Sequence, residues 1–523
     1  MIRIRLNPTP PLLSLLPALA LVVVLMAMVP GFHSGGLQAL IAFISASIHP
    51  SMDPLVVSSA WRGLQITMAT ALLSWVVSSF IGVVLGLASA TLIWRTFIGK
   101  SWPAIFFRRL LAFPRAVHEL LWGLLLLQML GLSPWVAILA ITIPYSALVA
   151  RVLSDQLDTL GERPLIALRQ SGAKPIQALT TAIIPPMAPV LMSYCGYRLE
   201  CALRGATLLG VFGLGGLGTD LQLTLQSLQF EELWTALWML ASVMIILEQL
   251  MSWWRQRLKS SGAAPRELLV SVCLMLILGI CSLIWLQSLD LDMTSSIRWH
   301  PLPLPTVSEL ITASHELHWL QLIVNTLLLT LLAAGIAIGL PPLGMMLWPS
   351  QLGRSIQSLL WGLLRLIPTP LAALLLLLNC EPSLAVAALA LGAHNLGVMG
   401  RLLKEALDQQ SDSCYQALKA SGAGDRIAWL YGSLSAQSPG YLAYSAYRAD
   451  VMLRETAVVG MVGGAGLGWQ LIESLSSFNW AQVYLLIGVY AMLTMFGEVL
   501  SDHCRQLWTG SRKKPAMALV LQS

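Results

Sequence analysis

The chain has 523 residues, of which 56% are hydrophobic and only 11% charged, and its mean hydropathy is +0.74. A soluble domain carries roughly 25% charged residues, so this composition excludes one and points to an all-α polytopic membrane protein. The formal net charge is +6, but the cations gather beside apolar runs, and no nucleic-acid partner follows from them.

In chain order, Arg3 and Arg5 precede an apolar stretch from Leu12 to Val29. It is longer than the apolar core of a secretory signal, and no small-x-small cleavage site follows, so it reads as a retained first span. Further runs long enough to cross the hydrocarbon layer begin near Gly63, Ala104, Pro134, Met187 and Phe230. A second set begins near Glu267, Leu320, Ile356, Ser383, Gln437 and Phe478. The sequence predicts about 12 transmembrane helices for a layer roughly 30 Å thick. None of these runs alternates with period two, as barrel strands would.

With the N-terminus inside, only Arg62 and Arg298 among the cations face outward, while Arg115, Arg198, Arg204, Arg365, Arg448 and Arg454 fall within spans. The remainder lie in cytoplasmic segments, including Arg255, Arg257, Lys259 and Arg266 mid-chain and Arg512, Lys513 and Lys514 at the end. This distribution predicts a multi-pass membrane protein with both termini cytoplasmic.

Two segments repeat. Residues 167–221 and 417–471, aligned without a gap, agree at 18 of 55 positions, where unrelated segments of such composition agree at roughly one in ten. The chain therefore reads as two homologous repeats, 1–258 and 259–523, joined by a linker around Ser260-Ser261-Gly262. Six spans per repeat is an even number, so both repeats enter the membrane the same way up, as parallel six-helix halves. The outward segment from Asp290 to His318 reads as a surface loop.

Each repeat holds one long polar stretch on the cytoplasmic side, Arg151 to Pro186 and Arg401 to Pro439. Within them stand Ala167-Leu168-Arg169-Gln170-Ser171-Gly172-Ala173 and Ala417-Leu418-Lys419-Ala420-Ser421-Gly422-Ala423. Leucines at helical spacing before the glycine predict short amphipathic helices broken there. Ala167, Ser171, Gly172 and Ala173, with Ala417, Ser421, Gly422 and Ala423, form a matched pair of docking elements for a cytoplasmic partner.

Charged groups inside a span cost roughly 2.5–3.5 kcal/mol each and face a partner or a water-filled path. Glu200 with Arg204 and Asp450 with Arg454 have the favoured i, i+4 order. Arg198 and Arg448 lack such a neighbour in sequence. The four arginines are candidates for the substrate path, with Arg198 and Arg448 able to bias it toward anions. Beyond them lie glycine-rich runs, with Gly213, Gly216 and Gly218 in the first half and Gly463, Gly466 and Gly468 in the second. They serve either close helix packing or a broken helix that forms a gate or an outward docking surface.

On these residues the sequence resembles the membrane subunits of bacterial ABC importers, whose cytoplasmic loop reads E-A-A-x-x-x-G followed by I-x-L-P. Here Ala167, Gly172 and Ile184-Pro185 match in the first copy, and Ala417, Gly422 and Leu434 in the second. Ile166 and Gln416 replace the leading glutamate, and Ser435 stands where proline is expected. The Tyr-Arg-x-[Glu/Asp]-x-x-Leu-Arg blocks, Tyr197 to Arg204 and Tyr447 to Arg454, together with the glycine exits, resemble phosphonate-type permeases, two of them fused. The resemblance implies a type I ABC importer transmembrane fold and a permease for phosphonate or a related phosphorus oxyanion. It also implies two partners: an ABC ATPase dimer carrying ATP and Mg, and a periplasmic or lipid-anchored solute-binding protein. Methionine, osmoprotectant, thiamine or iron remain alternative substrates, and an ion-coupled secondary transporter is the rival class.

No nucleotide site belongs to the chain itself. Gly99-Lys100-Ser101 imitates the end of a P-loop, but Trp94 stands where its first glycine belongs. The seven cysteines show no metal-type pairing, and His315 with His318 is an isolated H-x-x-H, so neither a metal nor an intrinsic cofactor is expected. No catalytic constellation is visible, which argues against an enzyme.

Overall fold

The computed structural model describes residues 11–160, 163–260, 265–289, 291, 299–408, 410, 413–463 and 466–509. Arg3, Arg5, Arg298, Arg512, Lys513, Lys514 and the linker core after Ser260 lie outside them. The described residues are almost entirely helical. In chain order the helices are α1 Leu12–Gly31, α2 Leu37–Ala46, α3 Pro54–Ser89, α4 Thr91–Ile98, α5 Trp102–Ala116, α6 Glu119–Leu130, α7 Pro134–Thr159, α8 Arg163–Gln170, α9 Pro175–Leu209, α10 Leu217–Gln226 and α11 Phe230–Ser260. The second set is α12 Pro265–Ser288, α13 Val307–Glu316, α14 Trp319–Leu347, α15 Gln351–Leu366, α16 Thr369–Leu377, α17 Leu384–Asp408, α18 Ser413–Ala420, α19 Ser435–Gly463, α20 Gly466–Ser476 and α21 Trp480–Thr509.

Among the described residues eight helices are long and apolar enough to cross a membrane, and three bent pairs raise the number to 11. The expected straight spans near Ala104 and Ile356 are instead sharply broken: α5 and α6 meet at 85°, and α15 and α16 at 94°. In the second pair Pro368 removes a backbone donor and forces Ile367 out of helical geometry. In the first, His118 is extended and its Nδ1 accepts the Leu120 N–H at 3.2 Å, capping α6. The span expected from Gln437 is α19. Its serines, tyrosines and four ionised residues keep it from qualifying by composition alone. The segment expected to be a surface loop also holds structure: Thr306 and Glu309 form a capping box at the start of α13.

Two compact units are present, and they do not coincide with the sequence repeats. One comprises the described residues of Met1–Ile41 and Leu304–Arg512, the other those of Ala42–Pro303. Small residues explain the division. A Cβ on Gly339 of α14 would lie 2.0 Å from the Ala18 backbone nitrogen, and one on Gly335 2.4 Å from the Ala20 Cβ, so α1 packs directly on α14. In the other unit Gly279 of α12 seats on Val76 of α3. Each unit thus contains the opening helix of the other repeat. The end of α1 is fixed by backbone pairing, with His33 donating to the Asn379 carbonyl and Glu381 to the Gly31 carbonyl, both at 2.9 Å.

The core pair in each unit is α3 with α7 and α14 with α17. Gly82 and Gly86 admit Val149 and Leu153, and Gly392 admits Ile336. These close crossings carry the polar loops and the charged helices α9 and α19.

Candidate functional site

The repeated Ser-Gly-Ala blocks fold into the same turn. In the first half α8 ends at Gln170, Gly172 takes φ +88°, and the N–H of Ala173 reaches back to the Leu168 carbonyl at 3.0 Å. In the second, α18 ends at Ala420, Gly422 takes φ +89°, and Ala423 donates to Leu418 at 3.0 Å. This is a glycine-terminated helix end, in which the left-handed residue lets the last carbonyls find donors. Ala167 and Ala417 accept the N–H groups of Ser171 and Ser421. No atom lies within 4 Å of a Cβ added at either glycine, so backbone conformation, rather than space, requires them.

Apolar side chains stand out beside both turns. Ile176 is 67% and Ile427 56% exposed, with Ile166 and Tyr431 also uncovered. The charges differ. Arg169 donates to its own turn at the Ala173 carbonyl, 3.1 Å. Lys419 pairs with Asp425 across the second turn; this contact raises the lysine pKa and lowers the carboxyl pKa.

The seats beneath the turns are unlike. Leu165 of α8, 3% exposed, packs with Leu92 of α4, Leu157 of α7 and Ala178 of α9. Arg108 ties that seat together: it reaches Asp158 at 2.5 Å and the Ser89 carbonyl at 2.8 Å, while Asp158 also accepts the Leu92 N–H. Among its described residues the second half has no counterpart of α4. There a π-helical turn, Trp429–Leu434, follows the loop and buries Trp429 to 1% exposure among Leu403, Met345 and Tyr415. Gly432 lets that turn lie on the Tyr415 backbone, 2.9 Å from where a Cβ would be. The first half makes its bend at Pro185, where α9 turns by 46°.

The buried arginines also find different surroundings. Both expected i, i+4 pairs form, Glu200 with Arg204 and Asp450 with Arg454. Arg198 donates to the Tyr194 hydroxyl at 2.7 Å and lies 5.1–5.7 Å from the ring centres of Tyr145, Tyr194 and Tyr197, a cation–π cage. Arg448 has the neighbour that the sequence spacing does not reveal: its Nη2 lies 3.3 Å from Glu455, seven residues on, and its Nε donates to Asn395 at 2.6 Å.

At the glycine runs, the first half has a π-helical turn Gly210–Leu214 and then Gly215 and Gly216 at positive φ before α10. Gly464 and Ala465 lie outside the described residues; Gly463 ends α19 and Gly466, φ +77°, opens α20. The Leu217 N–H donates to the Thr67 hydroxyl at 2.9 Å, and the Leu467 N–H to Thr326 at 2.9 Å. A Cβ on Gly216 or Gly466 would lie 2.5 or 2.6 Å from that oxygen. Gly218 and Gly468 are helical and meet backbone at 2.0 and 2.9 Å, whereas Gly213, φ +82°, opens into free space.

These features belong to a duplicated helical protein with several candidate membrane spans. Residues 82–261 match the model of the binding-protein-dependent transport system inner membrane component family. The putative cryptic phosphonate transport system permease protein PhnE2 of Escherichia coli K12 is 33% identical over 118 residues, which are 23% of this chain and 97% of that protein. The chain belongs to this family. The phosphate-import permease protein PhnE of Mycolicibacterium smegmatis is 23% identical over 423 residues, 75% of this chain and 77% of that one. The putative phosphite transport system permease protein HtxE of Stutzerimonas stutzeri is 32% identical over 139 residues, 26% and 53% of the two chains.

As a binding-protein-dependent ABC importer permease, the chain is a transport subunit, and the ion-coupled rival falls away. Three contributors to the permease's polar framework escape sequence reading. Glu455 is one. Thr67 and Thr326 are the others; they lie outside the ungapped repeat, whose register slips because α4 exists in the first half only.

Proposed function

We propose that this chain is the inner-membrane permease subunit of an importer for a phosphorus oxyanion, a phosphonate or its phosphite or phosphate relatives, driven by a separate ATPase. The observation that carries the reading is the pair of identical glycine-terminated turns, each presenting exposed isoleucine beside a helix end. Such rigid, partly apolar knobs suit sockets on two ATPase subunits that hold ATP and Mg. ATP-driven closure would then alternate access between the two faces. Orientation follows the arginine distribution: both turns and both termini cytoplasmic, and the glycine exits at the outer face, where Gly213 and Gly463 would meet a periplasmic or lipid-anchored solute-binding protein.

The substrate class rests on the names of the relatives, which are permeases for phosphate, phosphite and phosphonate, and on the buried Arg198 and Arg448. Guanidinium groups recognise tetrahedral oxyanions through paired donors. Uptake of phosphonate, phosphite and phosphate by cells carrying the permease with its ATPase and binding protein tests the substrate. The double variant Gly172→Val/Gly422→Val tests the turns: ATPase activity should persist while uptake is lost, and uptake at the unmodified level would overturn the docking role.

A further inference from the structure

The two buried arginines differ in their immediate neighbours yet share one larger arrangement. In the second half Arg448, Asn395 and Glu455 form a triangle of contacts. The Asn395 carbonyl oxygen accepts from Arg448 at 2.6 Å, its amide donates to the Glu455 carboxylate at 2.8 Å, and the arginine reaches that carboxylate directly. In the repeat register Asn395 corresponds to Tyr145, Arg448 to Arg198, and Glu455 to Gly205. The first half therefore lacks a carboxylate on α9 where the second has one on α19.

The space is not empty. A Cβ on Gly205 would lie 3.4 Å from the Glu119 carboxylate and 3.4 Å from the Tyr145 hydroxyl. Glu119 comes from the first turn of α6, just beyond the 85° break, and its Oε1 lies 3.4 Å from the Tyr145 hydroxyl while His118 flanks its other oxygen at 3.4 Å. The Tyr145 ring in turn faces Arg198 at 5.2 Å. Tyrosine thus stands between arginine and carboxylate, where the other half has asparagine, but through its ring toward Arg198 and its hydroxyl toward Glu119, the hydroxyl also donating to the Cys201 carbonyl at 3.1 Å.

We infer that each half holds the same triad, arginine, bridging group and carboxylate, and that the first half supplies its carboxylate from Glu119, at the place of the glutamate missing at Gly205. Taking the proposed oxyanion transport as its basis, the carboxylates are positioning residues. Each balances its arginine while no solute is present and gives way when a solute oxyanion enters. A guanidinium without that counter-charge inside a membrane domain is costly and collapses onto other acceptors, so a carboxylate must be present but can be attached to either helix.

Moving the charge tests this. In the complex with its ATPase and binding protein, Glu119→Ala should lower uptake of phosphonate or phosphite by about tenfold or more and lower the melting temperature of the purified chain. Glu119→Ala/Gly205→Glu, which returns a carboxylate from the α9 side, should bring both back toward the parent values. Glu119→Ala/Gly205→Gln, of the same size without charge, should restore neither. Parent-level uptake and melting in Glu119→Ala, or equal rescue by glutamine and glutamate, or a glutamate double variant no better than Glu119→Ala, would each overturn the triad. If the unmodified complex imports none of the three phosphorus oxyanions, the substrate reading fails, and recovery of the melting temperature alone decides whether the carboxylate can be moved.

Discussion

The two loops around Gly172 and Gly422 agree in their turns and disagree in everything beneath them. Above, both end a helix with a left-handed glycine and the same backbone hydrogen bonds. Below, the first rests on small aliphatic side chains held by Arg108 and Asp158 through the extra helix α4, and the second on one large indole, Trp429. Duplication has kept the geometry that an outside partner would meet and let the internal support drift. On the proposed docking role, another molecule would constrain the contact surface, while the seat needs only to be filled to close-packed density.

Mutations separate the two levels. The largest expected effect is Trp429→Ala, which empties the second seat and should cost about 3–5 kcal/mol; Leu165→Ala in the first seat should cost about 2 kcal/mol. Denaturation in detergent that ranks these two the other way would break the contrast. Thr67→Ala and Thr326→Ala remove equivalent caps from α10 and α20, and each should cost about 1 kcal/mol, read as equal falls in melting temperature. Unequal falls would extend the asymmetry to the glycine exits. Gly172→Ala and Gly422→Ala strain only the backbone, at about 1 kcal/mol each, and near-equal losses would support the shared turn.

The smallest effect is electrostatic. Lys419 lowers the Asp425 pKa, so this contact contributes above the ordinary carboxylate range and is lost as the pH falls through the lowered Asp425 value. Asp425→Asn should remove that acid-side dependence from the melting curve with little change at neutral pH, because the pair is exposed. In the first loop the corresponding cation, Arg169, bonds the Ala173 carbonyl instead of a carboxylate.

Local patterns were legible in the sequence. Leucine spacing and the Ser-Gly-Ala block specify a helix and its stop within a few residues, and i, i+4 spacing specifies Glu200–Arg204 and Asp450–Arg454. What depends on which helix passes which was not legible. Arg448 meets Glu455 two turns away because Asn395, from α17, bridges them. Glu119 reaches the Gly205 position only because α5 and α6 meet at a sharp angle. The break at Pro368 has a residue to announce it, whereas the one at His118 depends on a side-chain cap that many residues could precede.

The exchange of opening helices has a consequence for the order of synthesis. α1 leaves the ribosome well before the helix it packs on, α14, which starts at Trp319. At translation rates of ~5–20 residues per second, α1 waits roughly 15–60 s in the lipid without its neighbour. A helix that must lodge alone has to be soluble in the bilayer by itself. Among the described spans, α1 has the highest mean hydropathy, 2.8, and the other exchanged helix, Leu269–Ser288, follows at 2.7. The two helices that change places are thus the two best able to stand in lipid before anything packs against them.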